Sequence, residues 1–286
     1  MITGKTHLLG IIGYPVAHSL SPVMQNAAIE ALGVDYAYVP FAVSPEDLTA
    51  AVAGLRAIGV QGFNVTIPHK QSIMPLLAHT SDLAQAVGAV NTVWWTESGW
   101  AGTNTDVEGF IAPLRSQAQD WSQVKAIVLG NGGAARAVVA GCAQLGCAQV
   151  QVVGRNAEKL QDFARSWENS PISVNLSTHL WEELPRLLPD ATLLVNTTPI
   201  GMSGHTNASP LTPEDLQHIT PKTIAYDLIY TPRPTLFLQQ AAAQGATPID
   251  GLEMLVQQGA VGLKQWLQQA VPIDVMQQSL LDYLWQ

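Results

Sequence analysis

The residues best suited to do chemistry are a lysine, an aspartate and a group of amides and hydroxyls set beside glycines and prolines. In Gly62-Phe63-Asn64-Val65-Thr66-Ile67-Pro68-His69-Lys70, polar groups follow an apolar run that reads as a strand, and strand ends are where an α/β scaffold presents its chemistry. An ammonium there can give a proton to an oxygen and stabilise negative charge growing on it. Asp106, closing Gly102-Thr103-Asn104-Thr105-Asp106, is able to pair with Lys70 and hold its ammonium in place. Together with Gly88-Ala89-Val90-Asn91-Thr92, this segment supplies small polar side chains suited to a ligand rich in hydroxyls. His69 is the rival for proton transfer, because an unperturbed imidazole titrates at about 6.5. Adjacent side chains point in different directions, so one of His69 and Lys70 is expected to face the site. His7, His79, His179, His205 and His218 show no metal-ligand spacing, and no metal is expected.

A second constellation is Ala126-Ile127-Val128-Leu129-Gly130-Asn131-Gly132-Gly133-Ala134-Ala135-Arg136-Ala137, a buried strand entering glycines and then a helix. Gly130 and Gly132 fit the first two positions of G-x-G-x-x-G/A and Ala135 fits the third. Such a turn lets backbone N–H groups approach a pyrophosphate at a helix N-terminus, so a dinucleotide is expected. The end of the next strand, Val152-Val153-Gly154-Arg155-Asn156, lacks the carboxylate that binds ribose hydroxyls in NAD sites. Arg155 offers a planar donor fork to a 2′-phosphate, and Lys159 stands one helical turn further on, which favours NADP.

The elements that must position these groups fall into two halves. The first half reads as strands over residues 8–12, 36–43 and 62–65, helices over 21–32 and 45–58, helical pieces over 68–87, and a hairpin of 89–96 with 100–103. Ser21-Pro22 and Ser44-Pro45 read as capping hydroxyls before a first-turn proline, with Asp47 completing a box at the second. From residue 125 the pattern is strand 126–129, helix 134–145, strand 149–153, helix 157–167, and strands 193–196 and 224–228, as in a parallel sheet covered on both faces. Helices over 236–244, 252–269 and 273–284 close the chain, and such a tail is expected to return to the first domain. The domains are therefore expected to be 1–105 with 236–286, and 106–235.

Length and composition set the limits. A chain of 286 residues suggests about two domains. At 47% apolar and 12% charged it folds rather than staying disordered. The net charge of −9, with no long basic stretch, argues against nucleic acid as a partner. No run of about 20 apolar residues suggests a membrane span, and residues 8–17, broken by Gly10, Gly13 and Pro15, do not read as a signal peptide. Two cysteines, Cys142 and Cys147, make neither a disulfide framework nor a four-ligand zinc site, and both are expected on a helix or at its end. A reducing, cytoplasmic setting is expected.

Taken in order, His18-Ser19-Leu20-Ser21-Pro22, Asn64-Val65-Thr66-Ile67-Pro68-His69-Lys70, Gly88-Ala89-Val90-Asn91-Thr92, Asn104-Thr105-Asp106 and Gly130-Asn131-Gly132-Gly133-Ala134-Ala135-Arg136 resemble the shikimate dehydrogenase family. Asn196-Thr197-Thr198-Pro199-Ile200-Gly201-Met202, Tyr226-Asp227-Leu228-Ile229-Tyr230-Thr231-Pro232, Thr235 and Met254-Leu255-Val256-Gln257-Gln258-Gly259-Ala260 extend the resemblance over nearly the whole chain. The resemblance implies an N-terminal α/β substrate domain and a Rossmann-type, doubly wound, parallel-sheet NADP domain. The implied reaction interconverts 3-dehydroshikimate and shikimate with NADPH, within aromatic amino-acid biosynthesis. Lys70 would be the acid/base residue, paired with Asp106. Ser19 and Ser21 would bind the substrate carboxylate, Thr66, Asn91, Asp106 and Gln258 the ring hydroxyls, and Tyr230 would add a contact.

In the coenzyme half, the resemblance implies that Gly130, Asn131, Gly132, Gly133 and Ala134 hold the pyrophosphate, Arg155 and Lys159 the 2′-phosphate, and that Met202, Leu228 and Gly251 border the nicotinamide. His18 is either a donor behind the serines or a packing residue at a helix entry. The chain departs from the family in carrying His69 where an aromatic residue is frequent, and Gly154-Arg155-Asn156 where an Asn-Arg-Thr trio is frequent. The second departure points to a weaker NADP preference. The competing readings are a quinate/shikimate dehydrogenase of broader specificity using NAD, and a non-catalytic relative that binds NADP. Small molecules are the expected partners, for a monomer or homodimer.

Overall fold

The computed structural model describes residues 2–202 and 204–285, in which the apolar runs become two six-stranded sheets. Each sheet belongs to its own compact unit, Met1–Gly109 with Leu255–Gln286 and Phe110–Met254. In chain order the first unit holds His7–Gly13 (β1), Ser21–Leu32 (α1), Tyr36–Ala42 (β2), Leu48–Ala57 (α2), Val60–Val65 (β3), His79–Thr80 (β4), Asp82–Val87 (α3), Thr92–Thr96 (β5) and Gly99–Thr103 (β6). Its strand order is β2-β1-β3-β5-β6-β4. β1 runs parallel to β2 and β3, while β3, β5 and β6 pair antiparallel. Parallel pairing of β1 with β3 brings their C-terminal ends to one edge, so the segments carrying Ser19 and Thr66 leave the sheet side by side. Ile12, Leu55, Phe63, Val65, Val93 and Trp100 form the core of this unit, with Phe63 meeting Trp100 edge-on at 5.0 Å.

The 21–32 helix keeps its expected bounds, but local chemistry changes its cap and shifts two other expected boundaries. α1 starts at Ser21 itself, with Leu20 at the cap position and no side-chain cap, and Ser21 is buried. The second helix begins only at Leu48, because the Ser44 hydroxyl donates to the Asp47 carboxylate at 2.9 Å and neither side chain caps the helix. Residues 68–87 make a short 3-10 turn, Met74–Leu76, then β4 and α3. β4 pairs with β6, and Ser81 stops the strand by accepting the Ala84 N–H as a helix cap.

Asp106–Arg115 (α4) carries the chain from the first unit into the second. There follow Lys125–Leu129 (β7), Gly133–Leu145 (α5), Gln149–Gly154 (β8), Ala157–Arg165 (α6), Leu176–Leu180 (β9), Leu184–Leu187 (α7), Leu193–Asn196 (β10), Pro213–Leu216 (α8), Ile224–Asp227 (β11), Leu236–Ala243 (α9) and Thr247–Ile249 (β12). Every pair in the order β12-β11-β10-β7-β8-β9 is parallel, the doubly wound arrangement that was expected. Strand order reverses beside β7, which is where such sheets bind ligands. Ile127, Leu129, Leu194, Ala225, Phe237 and Leu238 pack its core. Cys142 lies within α5 and Cys147 just past its end, both free.

Leu252–Leu267 (α10) and Ile273–Leu284 (α11) return the chain to the first unit. There α11 packs on α1, the Trp266 indole donates to the Val93 carbonyl at 2.9 Å, and the Gln25 amide donates to the Gly259 carbonyl at 3.0 Å. The compact units divide at 109/110 and 254/255, whereas the sequence suggests divisions at 105/106 and 235/236. α9 and β12 stay with the second unit because β12 pairs with β11. Among the described residues no helix is long and apolar enough to cross a membrane.

Candidate active site

Lys70 lies on the turn after β3, where its ammonium donates to Asp106 Oδ2 at 2.6 Å, with the two side chains 18% and 8% exposed. Asp106 opens α4, an end at which the helix dipole favours a negative charge. Its other oxygen, Oδ1, accepts from the Asn91 amide at 2.8 Å. The same amide reaches Thr105 Oγ1 at 3.0 Å and Gln258 Oε1 at 3.3 Å, while Asn91 Oδ1 accepts the Thr105 N–H at 2.7 Å. Asn104 fixes the start of α4 by accepting the Asp106 N–H at 3.0 Å and donating to the Ala89 carbonyl. Lys70, Asp106, Asn91 and Gln258, distant in sequence, thus form one hydrogen-bonded group whose amides leave the carboxylate little freedom.

His69 is turned the other way. Its ring Nε2 lies 2.7 Å from the Val43 carbonyl, and the residue is 1% exposed. A carbonyl only accepts, so Nε2 carries the proton, and the imidazole is a buried donor on the core side of the turn. His18 is exposed.

Ser19 accepts the Ser21 N–H at 3.3 Å, joining the two serines. Behind them the Tyr38 phenol donates to Asn64 Oδ1 at 2.7 Å, and the Asn64 amide donates to the Asn91 carbonyl at 3.0 Å, so a buried polar chain runs beneath the serines to the lysine group. Burial raises the Tyr38 phenol well above its usual range and keeps it a donor. Tyr38 and Asn64 escaped the sequence reading as site residues because a tyrosine in a strand and an asparagine at its end are ordinary; their alignment depends on the pairing of β1 with both β2 and β3. Thr66 follows β3 directly, its N–H bonded to the Ile12 carbonyl at 2.9 Å.

In the second unit Gly130 turns at φ +102, a conformation that favours glycine. A Cβ there would lie 2.8 Å from Thr197 Oγ1. Gly132 caps α5, and a Cβ on it would meet no atom within 4 Å. The chain is thus uncrowded at Gly132, beside the positive end of a 13-residue helix, a setting that fits a pyrophosphate. Asn131 Oδ1 would lie 3.3 Å from a Cβ at Gly154, which leaves little room there for the side chain that the family often carries. Arg155 and Lys159 are exposed at the end of β8 and in the first turn of α6, and Asn156 caps that helix by accepting the Lys159 N–H at 2.9 Å.

Leu228 and Gly251 are adjacent: Gly251 N–H bonds the Ile229 carbonyl at 3.1 Å, and a Cβ on Gly251 would run into the Leu228 carbonyl. Met202 and Tyr230 are half-buried. The sequence did not mark Asp227 as a site residue, although a carboxylate inside Ile224-Ala225-Tyr226-Asp227-Leu228-Ile229 is a signal. It is fully buried and accepts from Thr235 Oγ1 at 2.7 Å, Asn196 Nδ2 at 3.0 Å and Ile229 N at 3.1 Å. Burial pushes its carboxyl up to about 6, aided by the nearby Asp250 charge and opposed by the three donors.

Family models match three stretches of the chain: shikimate dehydrogenase substrate binding domain over residues 11–93, shikimate / quinate 5-dehydrogenase over 113–200, and shikimate 5'-dehydrogenase C-terminal domain over 251–281. A curated relative from Gloeothece citriformis named shikimate dehydrogenase (NADP(+)) is 62% identical over 284 residues, covering 99% of each chain. A solved shikimate dehydrogenase in complex with NADP+ superposes with a TM-score of 0.89 at 34% identity, covering 99% of this chain and 98% of the other. Shikimate 5-dehydrogenase from Listeria monocytogenes, solved with shikimate and NAD, gives 0.87 at 31% identity over 98% of each chain.

Proposed function

The chain belongs to the shikimate dehydrogenase family, and on that premise we propose that it reversibly reduces 3-dehydroshikimate to shikimate with NADPH, in the cytoplasm, using Lys70 as acid/base residue and Asp106 as its partner. The observation that carries this reading is the 2.6 Å Lys70–Asp106 pair, with Asn91 bridging the aspartate to Gln258.

Bound coenzyme supplies a hydride to the substrate carbonyl carbon. Lys70 gives its Nζ proton to the carbonyl oxygen and, while still charged, stabilises the negative charge that grows there. In the oxidation direction the neutral amine takes the proton back. Asp106 orients the ammonium and accepts a ring hydroxyl. Thr66, Asn91 and Gln258 hold the other hydroxyls, and Tyr230 adds a contact. Ser19 and Ser21 donate to the substrate carboxylate without adding charge, which leaves Lys70 as the main cation. In the second unit, Gly130 to Ala134 receive the pyrophosphate, Arg155 and Lys159 the 2′-phosphate, and Met202, Leu228 and Gly251 line the nicotinamide. The first unit is thus the substrate domain and the second the coenzyme domain, in a monomer or homodimer that needs neither nucleic acid nor a membrane.

Turnover of shikimate and of quinate with NADP+ and with NAD+, followed by the absorbance of reduced coenzyme, tests the reading. Shikimate with NADP+ is expected to give the highest kcat/KM. Faster turnover of quinate with NAD+ would replace it with the broader dehydrogenase, and no turnover with any pair would leave a coenzyme-binding protein without this catalysis.

A further inference from the structure

Asp227 carries a charge that the fold does not need. Its three donors, Thr235 Oγ1, Asn196 Nδ2 and Ile229 N, are all neutral. The nearby cation Arg233 is engaged with Asp250 at 2.7 Å. An amide could hold the same place without the cost of burying a carboxylate, its oxygen accepting from Asn196 and Ile229 and its NH2 donating to the Thr235 hydroxyl, which can reverse its role.

The position is informative as well. Leu129, Asn196 and Asp227 lie in register across β7, β10 and β11, so the Asp227 backbone stands two strand spacings, about 10 Å, from the residue that opens the glycine turn. On the other side of β7, β8 ends at Gly154 and is followed by Arg155. A dinucleotide whose pyrophosphate sits at the β7–α5 turn and whose 2′-phosphate meets Arg155 must extend its other half toward β10 and β11. That half ends in a ring that is cationic when oxidised and neutral when reduced.

We propose that Asp227 sets the preference of this protein for oxidised over reduced coenzyme, its buried charge stabilising bound NADP+ and acting little on NADPH. The inference rests on the proposed coenzyme site and adds to it a determinant of which redox form is held. Among the described residues, the groups around Asp227 are neutral Asn196 on β10, Thr235 at the cap of α9 and the Asp250–Arg233 pair; next along β11 is Tyr226, a phenol raised well above its usual range by burial, with the Glu253 and Asp250 charges adding to the rise. α9 carries no ionisable side chain.

The experiment measures dissociation constants of NADP+ and NADPH by calorimetry or tryptophan fluorescence, for the wild-type protein and Asp227→Asn, at about pH 8 and about pH 5.5, on either side of the Asp227 transition. Their ratio is the readout, because the phosphates, Arg155 and Lys159 act on both forms and cancel. At the higher pH, Asp227→Asn is expected to raise Kd(NADP+)/Kd(NADPH) on the order of tenfold, the effect that opposite charges separated by roughly 10 Å would have in protein. The wild-type ratio is expected to move toward the variant's as the pH falls, while the variant's stays flat. A role that only shapes the loop would weaken both forms alike. If both coenzymes bind with a ratio that neither the substitution nor pH changes, the inference is overturned and the coenzyme site stands. If neither binds, the site itself is wrong. Should Asp227→Asn fail to fold, the wild-type pH comparison decides alone.

Discussion

At the scale of single residues, Lys70 and Asp227 are a surface-reaching charge and a buried one, and they answer to different measurements. Lys70 reaches Asp106 from a turn and packs no core, so Lys70→Ala is expected to leave the circular dichroism spectrum unchanged while kcat falls by about 10²- to 10⁴-fold, the usual contribution of a positioned proton donor. Asp106→Asn is expected to lower turnover with the fold intact, since Asn91 can still bond the amide oxygen. Near-normal turnover in purified Lys70→Ala would remove the lysine from its role. Asp227 speaks through stability. Its carboxyl titrates at about 6 when folded against an ordinary 3.8, so between those values the native state holds a proton that the unfolded chain has released. The group therefore adds stability as the pH falls through 6, fully below about 4, and this contribution is lost above about 7. Urea midpoints of wild type and Asp227→Asn should show the wild type gaining on the variant by on the order of 2 to 3 kcal/mol between pH 8 and pH 4.

Secondary-structure elements decide whether those residues meet, and glycines mark two contacts of opposite sign. A Cβ at Gly62 in β3 would collide with the Trp266 indole, which is held by the Val93 carbonyl and docks α10, the helix that carries Gln258. Gly62→Ala is expected to cost about 1 to 3 kcal/mol by overpacking, read as a lower urea midpoint. Gly54 lies within α2 with nothing within 4 Å of its missing Cβ, so Gly54→Ala is expected to raise the midpoint by about 0.5 to 1 kcal/mol. Equal effects of the two changes would contradict the packing described. The same contrast explains what the sequence could reveal. Long periodic segments such as α1 and α11 and the unbroken apolar runs within β7 and β10 are legible because local pattern and burial agree. β9 and β12 are not: Leu176-Ser177-Thr178-His179-Leu180 and Thr247-Pro248-Ile249 are short edge strands whose only cause is the neighbour they pair with. α4 hides behind its internal Pro113. Lys70 with Asp106 was legible by chemical type, whereas the Tyr38–Asn64 link and the Asp227 cradle follow from registers that no local pattern states.

For the whole molecule, the separate cores of the two units predict that substrate and coenzyme will stabilise different parts of the chain. A ligand that binds only the native state adds about 2.7 kcal/mol at 100 times its dissociation constant, and this gain appears first in the elements it touches. Hydrogen exchange should therefore slow on adding NADP+ in peptides covering 129–136, 153–160, 195–202 and 226–230, and on adding shikimate in those covering 18–21, 64–70, 89–92, 103–107 and 255–259. The chain's net charge of −9 sharpens the coenzyme half of this prediction. On the proposed coenzyme site, a polyanion approaching this acidic protein would depend on a few local cations, Arg155 and Lys159, both exposed and open to screening. NADP+ affinity is expected to fall with added salt more steeply than NAD+ affinity, and Arg155→Ala should bring the two slopes together. Slowing by NADP+ centred on 64–70 and 103–107, with 129–136 unchanged, would place the coenzyme in the wrong unit and undo the division of labour between them.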